Sequence, residues 1–433
     1  MRTDDKKLFI IPLIFLLLID ISFVLTKDFV QRDFISTYYQ IIIFIVISYL
    51  CLFFQYLLLK KISVNSKLIN NKNNDINYNI SYIGIVVTGF LIGVLIFQTL
   101  NNNSYNKFAL IATITSCYII PIIILTRLLF LFISWYKLRH SKIIILHIIS
   151  IILIIINLTI TIVSTDLIIK DRPTNIRPYV GGNVVISNEK DLFNNLIQIS
   201  STLAFISLWI TTIILMYNYN DKKVKKIIFW IIISLPVIYY LISYFYQFIL
   251  VDFLNYWNTD STLISISYNS FLTISGPLEG LAFIMLFLKL SKNFKQDKNI
   301  RFYITITAYG VLLLFTANQA EVLNDTPFPP FGLITITILN TASLLMLIGI
   351  YNSAFLISIN KPILETIQKY LKESKLLGII GQAERSKEIN KTIENILKDK
   401  AIEENEDIKI EENELKVYME NVLKELQRDK GSR

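Results

Sequence analysis

The chain has 433 residues, of which 53% are hydrophobic and only 17% are charged, and its formal net charge is +9. Soluble domains usually carry about 25% charged residues. Here the deficit comes from long unbroken apolar runs such as 8–25 and 227–250, and roughly 18 apolar residues suffice to cross a bilayer as a helix. The composition therefore excludes a soluble globular class and predicts an all-α polytopic membrane helix bundle.

In chain order, the apolar runs predict about ten spans, with the bundle occupying residues 1–359. They lie near 8–26, 37–59, 81–100, 108–136, 143–163, 195–217, 227–250, 263–288, 302–320 and 332–357. The first is interpreted as uncleaved, because its apolar part exceeds that of a signal peptide and no small-residue cleavage site follows. The oversized fourth run is either one long tilted helix or a span over 108–126 followed by an interfacial segment.

The distribution of basic residues predicts the orientation of the bundle. With the N-terminus inside, the inner segments hold 19 Lys and Arg residues and the outer segments hold 7. Cytoplasmic segments carry such an excess, so both termini are predicted to be cytoplasmic in a multi-pass protein of the cell membrane. A basic inner rim attracts anionic lipid, so the expected partner is the lipid bilayer and no nucleic-acid partner is predicted.

One outer loop, near 166–194, is longer than the others. Its prolines and the Gly181-Gly182 pair argue against a continuous helix and permit a small hairpin. It is either a solvated connector or a binding element outside the membrane.

Ionisable residues inside predicted spans are the first candidates for function, because burying charge in a bilayer is costly. Asp20, Arg127 and Glu279 are these candidates. Arg127 and Glu279 each lie nine residues from a predicted inner helix end, which puts both roughly 14 Å above the inner surface. They could form an ion pair. Alternatively, Glu279 is a neutral acid that hydrogen-bonds to a neighbouring helix, and Arg127 snorkels to the inner surface.

Glycines and one proline mark candidate positions for helix bending and close packing. In the eighth predicted span, Pro277 predicts a kink near Gly276, and Gly276 and Gly280 have GxxxG spacing. The same spacing recurs in the third span at Gly89 and Gly93. A looser version occurs in the last span, at Gly349 and Ser353. GxxxG spacing permits close helix approach, either within one bundle or between two chains.

Catalytic and metal-binding signatures are absent from the sequence. It contains no phosphate-binding loop, no dinucleotide-binding motif and no zinc-protease motif, and neither His140 nor His147 lies near a cysteine or carboxylate cluster. The two cysteines, Cys51 and Cys117, are interpreted as small apolar residues. Trp135 and other aromatic residues at predicted span ends are interpreted as an aromatic belt. No catalytic residue, metal site or cofactor is predicted, and enzymatic activity is not expected.

The last segment, 360–433, is predicted to be a charged helical cytoplasmic tail. It is nearly neutral and fits three helical stretches, near 361–377, 382–400 and 411–428, with glycines in "LLGIIG" that permit a turn between the first two. The narrow apolar stripes suit a coiled coil, a cytoplasmic protein partner, self-association or docking on the inner face of the bundle. A solvated tail is the alternative.

The stretch "NDTPFPPFGLITITILNTASLLMLIGIYNSA" (324–354), followed by "ESKLLGIIGQAE" (373–384), resembles uncharacterised multi-span membrane proteins of ammonia-oxidising archaea. The resemblance covers roughly the last quarter of the chain. It implies a cell-membrane protein whose last span is linked to its tail, and it transfers no functional residue.

These observations favour a non-enzymatic sensor or signalling-type membrane protein with a partner-binding cytoplasmic tail. A secondary transporter of a small solute is the alternative, supported by the number of spans, the broken eighth span and the buried charges. A structural membrane protein is the third class.

Overall fold

A computed structural model describes residues 37–67, 72–102, 106–170, 199–211, 297–317, 332–360 and 375–403, together with isolated positions between 14 and 291. These parts are helical, and they contain no strand. In chain order the helices are α1 (Thr37–Lys67), α2 (Lys72–Asn102), α3 (Lys107–Leu138), α4 (Lys142–Lys170), α5 (Ile199–Thr211), α6 (Lys298–Ala317), α7 (Gly332–Ile359) and α8 (Lys375–Glu403).

Six of these helices are long and apolar enough to cross a membrane: α1 to α4, α6 and α7. Each matches one of the ten predicted spans. The shorter apolar helix α5 lies within the predicted sixth span. The first, seventh and eighth predicted spans fall almost wholly outside the described residues, so the ten-span count stays a prediction.

The fourth apolar run forms one continuous helix of 32 residues, α3, which decides between the two alternatives that the sequence left open. Asn106 caps its start, since the Asn106 side chain accepts a hydrogen bond from Phe108 N at 2.9 Å. The helix continues through Pro121. Arg127 therefore lies within a helix that is long and apolar enough to span a membrane.

Helix α7 is the centre of the bundle. Its entire apolar stretch is buried, and it packs against α1, α2, α3, α6 and α8. Small residues bring α6 against it: a Cβ added to Gly310 of α6 would lie 2.6 Å from the backbone nitrogen of Met346. A Cβ added to Gly349 of α7 would lie 2.7 Å from the backbone nitrogen of Thr307. The two backbones are thus in direct contact, which glycine alone permits here.

Serine and threonine hydroxyls are compatible with these apolar helices because they bond to their own backbone. Thr88 Oγ1 donates to Gly84 O at 2.8 Å, and Thr161 Oγ1 donates to Asn157 O at 2.8 Å. Such bonds to the preceding turn satisfy a hydroxyl without a partner helix. Buried threonines here need not mark a ligand site.

Contacts between the helices fix their relative directions. Tyr78 OH of α2 donates to Ile62 O of α1 at 3.3 Å, and the rings of Tyr82 and Tyr56 lie 6.4 Å apart, so these helices are antiparallel. Short connections make α2 antiparallel to α3 and α3 antiparallel to α4. Helix α7 is parallel to α1, because Cys51 lies beside Ile334 and Gln55 lies beside Thr341. The contacts of Gly310 and Gly349 make α6 antiparallel to α7.

These directions bring the end of α1, the turn between α3 and α4, the start of α6 and the end of α7 to one end of the bundle. This end is called the basic end after its cationic residues: Lys60, Lys61, Lys137, Arg139, Lys142, Lys298 and Arg301. The segments assigned to the cytoplasmic side by charge therefore share one end. The side of the membrane that it faces remains a prediction.

The tail differs from the prediction in one respect. Helix α8 continues through Gly378 and Gly381, so the turn that the glycines of "LLGIIG" permit does not form. Both glycines are buried, and the buried Leu377 and Ile380 accompany them where α8 packs against α7 and α3. Burial of this face stabilises the helix across residues that would otherwise favour a break. The predicted stretches 361–377 and 411–428 fall wholly or mostly outside the described residues.

Candidate functional site

The described residues bring polar side chains together at two places, neither of which the sequence singled out. The first is a buried polar seam, formed by Cys51 and Gln55 of α1, Ser81 of α2, and Thr337, Asn340 and Thr341 of α7. The second is the contact between α3 and α8, at the basic end. Both involve the central helix or the tail, and so both connect elements that are distant in sequence.

Gln55 joins α1 to α7 through both ends of its amide. Gln55 Nε2 donates to Thr337 Oγ1 at 2.9 Å, and Gln55 Oε1 accepts from Thr341 Oγ1 at 3.0 Å. Cys51 Sγ lies 3.3 Å from Gln55 Nε2. The Gln55 side chain is only 1% exposed, so these hydrogen bonds replace water in the membrane interior.

Asn340 makes the equivalent contact with α2. It accepts from Ser81 Oγ at 3.1 Å, and its Nδ2 donates to Ser81 O at 3.2 Å. Gly84 leaves room for it, since a Cβ there would lie 2.7 Å from Asn340 Nδ2. The seam therefore locks α1 and α2 onto the central helix with paired donors and acceptors, an arrangement that hydrogen-bonded membrane helices commonly use.

The contact between α3 and α8 centres on Glu384, whose side chain is fully buried. Trp135 Nε1 donates to Glu384 Oε2 at 2.6 Å, and Trp135 is also fully buried. Lys387 Nζ lies 3.7 Å from the same oxygen and is partly exposed. Helix spacing puts Lys387 one turn after Glu384, so α8 supplies its own counter-charge. This contact is called the α8 latch, formed by Trp135, Glu384 and Lys387.

The α8 latch is incompletely satisfied. The second carboxylate oxygen, Glu384 Oε1, is buried and has no hydrogen-bond partner in the described part of the chain. A buried carboxylate with an unfilled acceptor costs free energy comparable to a lost charged hydrogen bond. Docking of α8 is therefore weakened by one unpaired acceptor oxygen on the same carboxyl group that binds Trp135.

Trp135 corrects one interpretation of the sequence. It was assigned to an aromatic belt at the interface, yet it is fully buried and engaged by the tail. Its ring packs edge-on against Phe132 at 5.2 Å, and Phe132 stacks on His147 of α4 at 5.4 Å. His147 Nδ1 lies 2.9 Å from Ile143 O of its own helix. This aromatic group supports the latch from the bundle side.

Of the predicted buried charges, only Arg127 lies among the described residues. It is half-buried on α3, and its Nη1 is buried without a hydrogen-bond partner in that part of the structure. Asp20 and Glu279 lie outside the described residues, as do Gly276 and Pro277. The Arg127–Glu279 pair therefore stays a prediction.

The described GxxxG glycines differ in their surroundings. A Cβ at Gly280 would lie 2.6 Å from Leu312 Cδ1 and 3.1 Å from the Leu312 carbonyl oxygen, so this position closely approaches α6. At Gly89 the nearest atom is Leu52 Cδ1, at the ordinary distance of 3.5 Å. At Gly93 nothing lies within 4 Å. The backbones of α6 and α7 approach most closely at Gly310, which has no glycine at GxxxG spacing, and at Gly349, which belongs to the looser Gly349–Ser353 version.

Sequence reasoning missed Gln55, Asn340 and Glu384. An amide side chain inside an apolar run was a usable signal for Gln55 and Asn340. Asparagine is so frequent in this chain that Asn340 alone carries little weight. Nothing in the sequence distinguishes Glu384 from the other charged residues of the tail. Its burial follows only from the packing of α8 against α3.

Comparisons with protein-family models, with curated proteins and with solved structures give no match for this chain. The polar seam and the α8 latch are therefore the features of the described residues that bear on function.

Proposed function

We propose that this protein is a non-enzymatic sensor or signalling-type membrane protein whose output element is α8. The α8 latch carries this proposal, because it links the tail to a membrane-spanning helix through a fully buried hydrogen bond. A change in the packing of α3 or α7 would alter the surface on which α8 rests. The released face of α8 would then be available to a cytoplasmic partner or to a second tail in a coiled coil.

The proposal includes the wider architecture inferred from the sequence. The protein has ten spans, lies in the cell membrane and has both termini in the cytoplasm, where α8 can meet a partner. Its resemblance to multi-span proteins of ammonia-oxidising archaea supports the link between the last span and the tail. The long outer loop near 166–194 is the proposed position for receiving an external cue.

Site-directed cysteine labelling tests whether α8 is an output element. Single cysteines at the buried Ala383 and at the exposed Asn390 are introduced into the full chain, after Cys51 and Cys117 have been replaced by serine. We expect Ala383→Cys to react slowly in native membranes and Asn390→Cys to react quickly. Adding Trp135→Phe should accelerate labelling at 383 alone, because it weakens docking. Equal rates at 383 with and without Trp135→Phe would contradict the proposal.

A secondary transporter is the second candidate function. Arg127 Nη1 and the Tyr118 hydroxyl favour it, since both are buried inside α3 and have no hydrogen-bond partner in the described residues. Unfilled polar groups at membrane depth are typical of solute and ion pathways. Proteoliposomes that show uptake lost in Arg127→Gln, with the folded protein retained, would favour this function. Absence of uptake across ionic, amino-acid and sugar solutes would leave the signalling proposal.

A further inference from the structure

The turn between α3 and α4 presents a concentrated cationic surface. Four residues within the six positions 137–142 are basic or histidine and exposed: Lys137, Arg139, His140 and Lys142. The sequence contains no acidic residue from 107 to 165, so neither helix supplies a counter-charge near this turn. Within the described residues, no ion pair involves Lys137, Arg139 or Lys142. The carboxylate that reaches α3 from the tail, Glu384, is buried and already engaged by the α8 latch.

The N-terminus of α4 adds to this positive potential. Ile145 N already donates to Ser141 O, but the first amide groups of a helix lack intrahelical acceptors and attract anions. Helix α4 has 29 residues and begins at Lys142, in the middle of the cationic surface. An anion at the turn would therefore meet both side-chain cations and backbone donors.

An exposed apolar stripe extends from this cationic surface along the outside of α4. Starting at Lys142, the exposed positions run at alternating spacings of three and four residues, which keeps them on one helix face. They are Ile145, Ile149, Ile152 and Ile156, each at least 36% exposed. On α3, the 66% exposed Phe130 lies two helical turns before Lys137. Cationic groups thus lie at the end of an exposed apolar stripe, which is complementary to the negative headgroup and the acyl chain of an anionic phospholipid.

We propose that the turn between α3 and α4 binds the headgroup of an anionic phospholipid, with an acyl chain lying along the α4 stripe. Lys137, Arg139 and Lys142 contact the phosphate, and Ile145, Ile149 and Ile152 contact the chain. The first of these cations, Lys137, comes two residues after Trp135, so the proposed site and the α8 latch share one end of α3. The site does not depend on a signalling function, because it is built from the turn and α4 alone.

The test measures lipid selectivity of the full chain in bilayers. Spin-labelled phosphatidylglycerol and spin-labelled phosphatidylcholine are compared by the fraction of each that is motionally restricted by the protein. We expect the wild type to prefer phosphatidylglycerol, and Lys137→Gln/Arg139→Gln/Lys142→Gln to reduce that preference by about tenfold or more, given the attraction between juxtamembrane cations and anionic lipid. The charge-keeping variant Lys137→Arg/Lys142→Arg should retain it, which separates charge loss from misfolding.

Two further arms can overturn the proposal. The matched control Lys60→Gln/Lys61→Gln removes two cations from the same end of the bundle while leaving the turn intact, and it should change the preference little. An equal loss in this control would mean a diffuse effect of the basic end. Inorganic phosphate at the same ionic strength as a chloride reference should not displace the lipid. Displacement specific to phosphate would identify a simple anion site, and an unchanged preference in the triple variant would exclude the turn.

Discussion

At the residue scale, two buried polar side chains each bond to a partner that is distant in the sequence. Glu384 lies in a tail of mixed charge, yet its side chain is fully buried and accepts a hydrogen bond from Trp135. Gln55 is one polar residue in an apolar helix, yet it bonds to two threonines of α7. Isolated from their partners, both residues would be costly in their positions.

Replacing Glu384 by alanine should weaken docking of α8. The change leaves the buried Trp135 indole N–H without an acceptor, which costs about 1–3 kcal/mol. Glu384→Gln keeps an acceptor oxygen and should cost less. A double-mutant cycle with Trp135→Phe, followed by labelling of Ala383→Cys, measures the coupling between the two side chains. Glu388→Ala, one turn further along α8, is the matched control and should have little effect; a coupling of zero would contradict the latch.

Replacing Thr337 by valine should destabilise the contact between α1 and α7. The variant keeps the side-chain shape but removes the hydroxyl that accepts from Gln55, and interhelical hydrogen bonds in membranes contribute about 1 kcal/mol. Thr305→Val is the control, because the Thr305 hydroxyl bonds only to Arg301 O of its own helix among the described contacts. Unfolding in mixed micelles by a denaturing detergent compares the two variants. Equal stability would show that the Gln55 bond contributes nothing.

At the element scale, the helices are held by different means. Helices α6 and α7 meet through backbone contacts at Gly310 and Gly349, whereas α1 and α2 are fixed to α7 by side-chain amides. Helix α8 uses buried Leu376, Leu377 and Ile380 together with the latch. The apolar runs predicted the helices themselves, because length and hydropathy suffice for that. Their neighbours were not predictable, since all spans look alike in composition.

The glycine pattern shows the limit of local motifs. Gly89 and Gly93 have GxxxG spacing but no close helix contact, while Gly310 has no such partner and touches a backbone. Spacing describes one helix face, and packing requires that a second helix be present at that face. The sequence alone does not specify which face is covered.

Substituting alanine at Gly349 should disrupt the contact between α6 and α7. The added Cβ would lie 2.7 Å from Thr307 N and 2.8 Å from Tyr303 O, both backbone atoms that cannot move aside cheaply. Gly93→Ala is the control, because its Cβ would enter open space, and alanine is favoured over glycine in a helix by roughly 0.5–1 kcal/mol. Thermal stability in detergent should fall for the first variant and hold or rise for the second. Tolerance of Gly349→Ala would contradict the packing of these helices.

At the scale of the whole molecule, the central helix connects the membrane bundle to the tail. Helix α7 is buried from Gly332 to Ala354 and runs to the basic end, where α8 returns against α7 and α3. The composition predicted a membrane bundle and a helical tail. It could not predict that the tail packs on the bundle, because the same apolar stripe fits a partner, a second copy or the bundle itself.

The ten-span topology predicts that the long outer loop and the C-terminus face opposite sides of the membrane. The six candidate spans in the described residues do not decide this. A cysteine at Ser187, in the long outer loop, should react with an impermeant reagent added outside the cell. A cysteine at Ser432 should react only after the membrane is permeabilised. Both cysteines are introduced singly into a chain in which serine replaces Cys51 and Cys117. Reaction of both from the same side in intact cells would rule out an arrangement with ten spans and two cytoplasmic termini.

The docking of α8 on the bundle is tested most directly by a distance measurement in lipid nanodiscs. Spin labels are attached at two exposed positions, Asn390 of α8 and Phe130 of α3, and their separation is measured by double electron–electron resonance. If α8 is docked, the doubly labelled chain that retains Trp135 gives one narrow distance distribution. The distribution broadens when Trp135→Phe is added. A broad distribution without Trp135→Phe, unchanged by its addition, would show that α8 is not docked and would contradict the account.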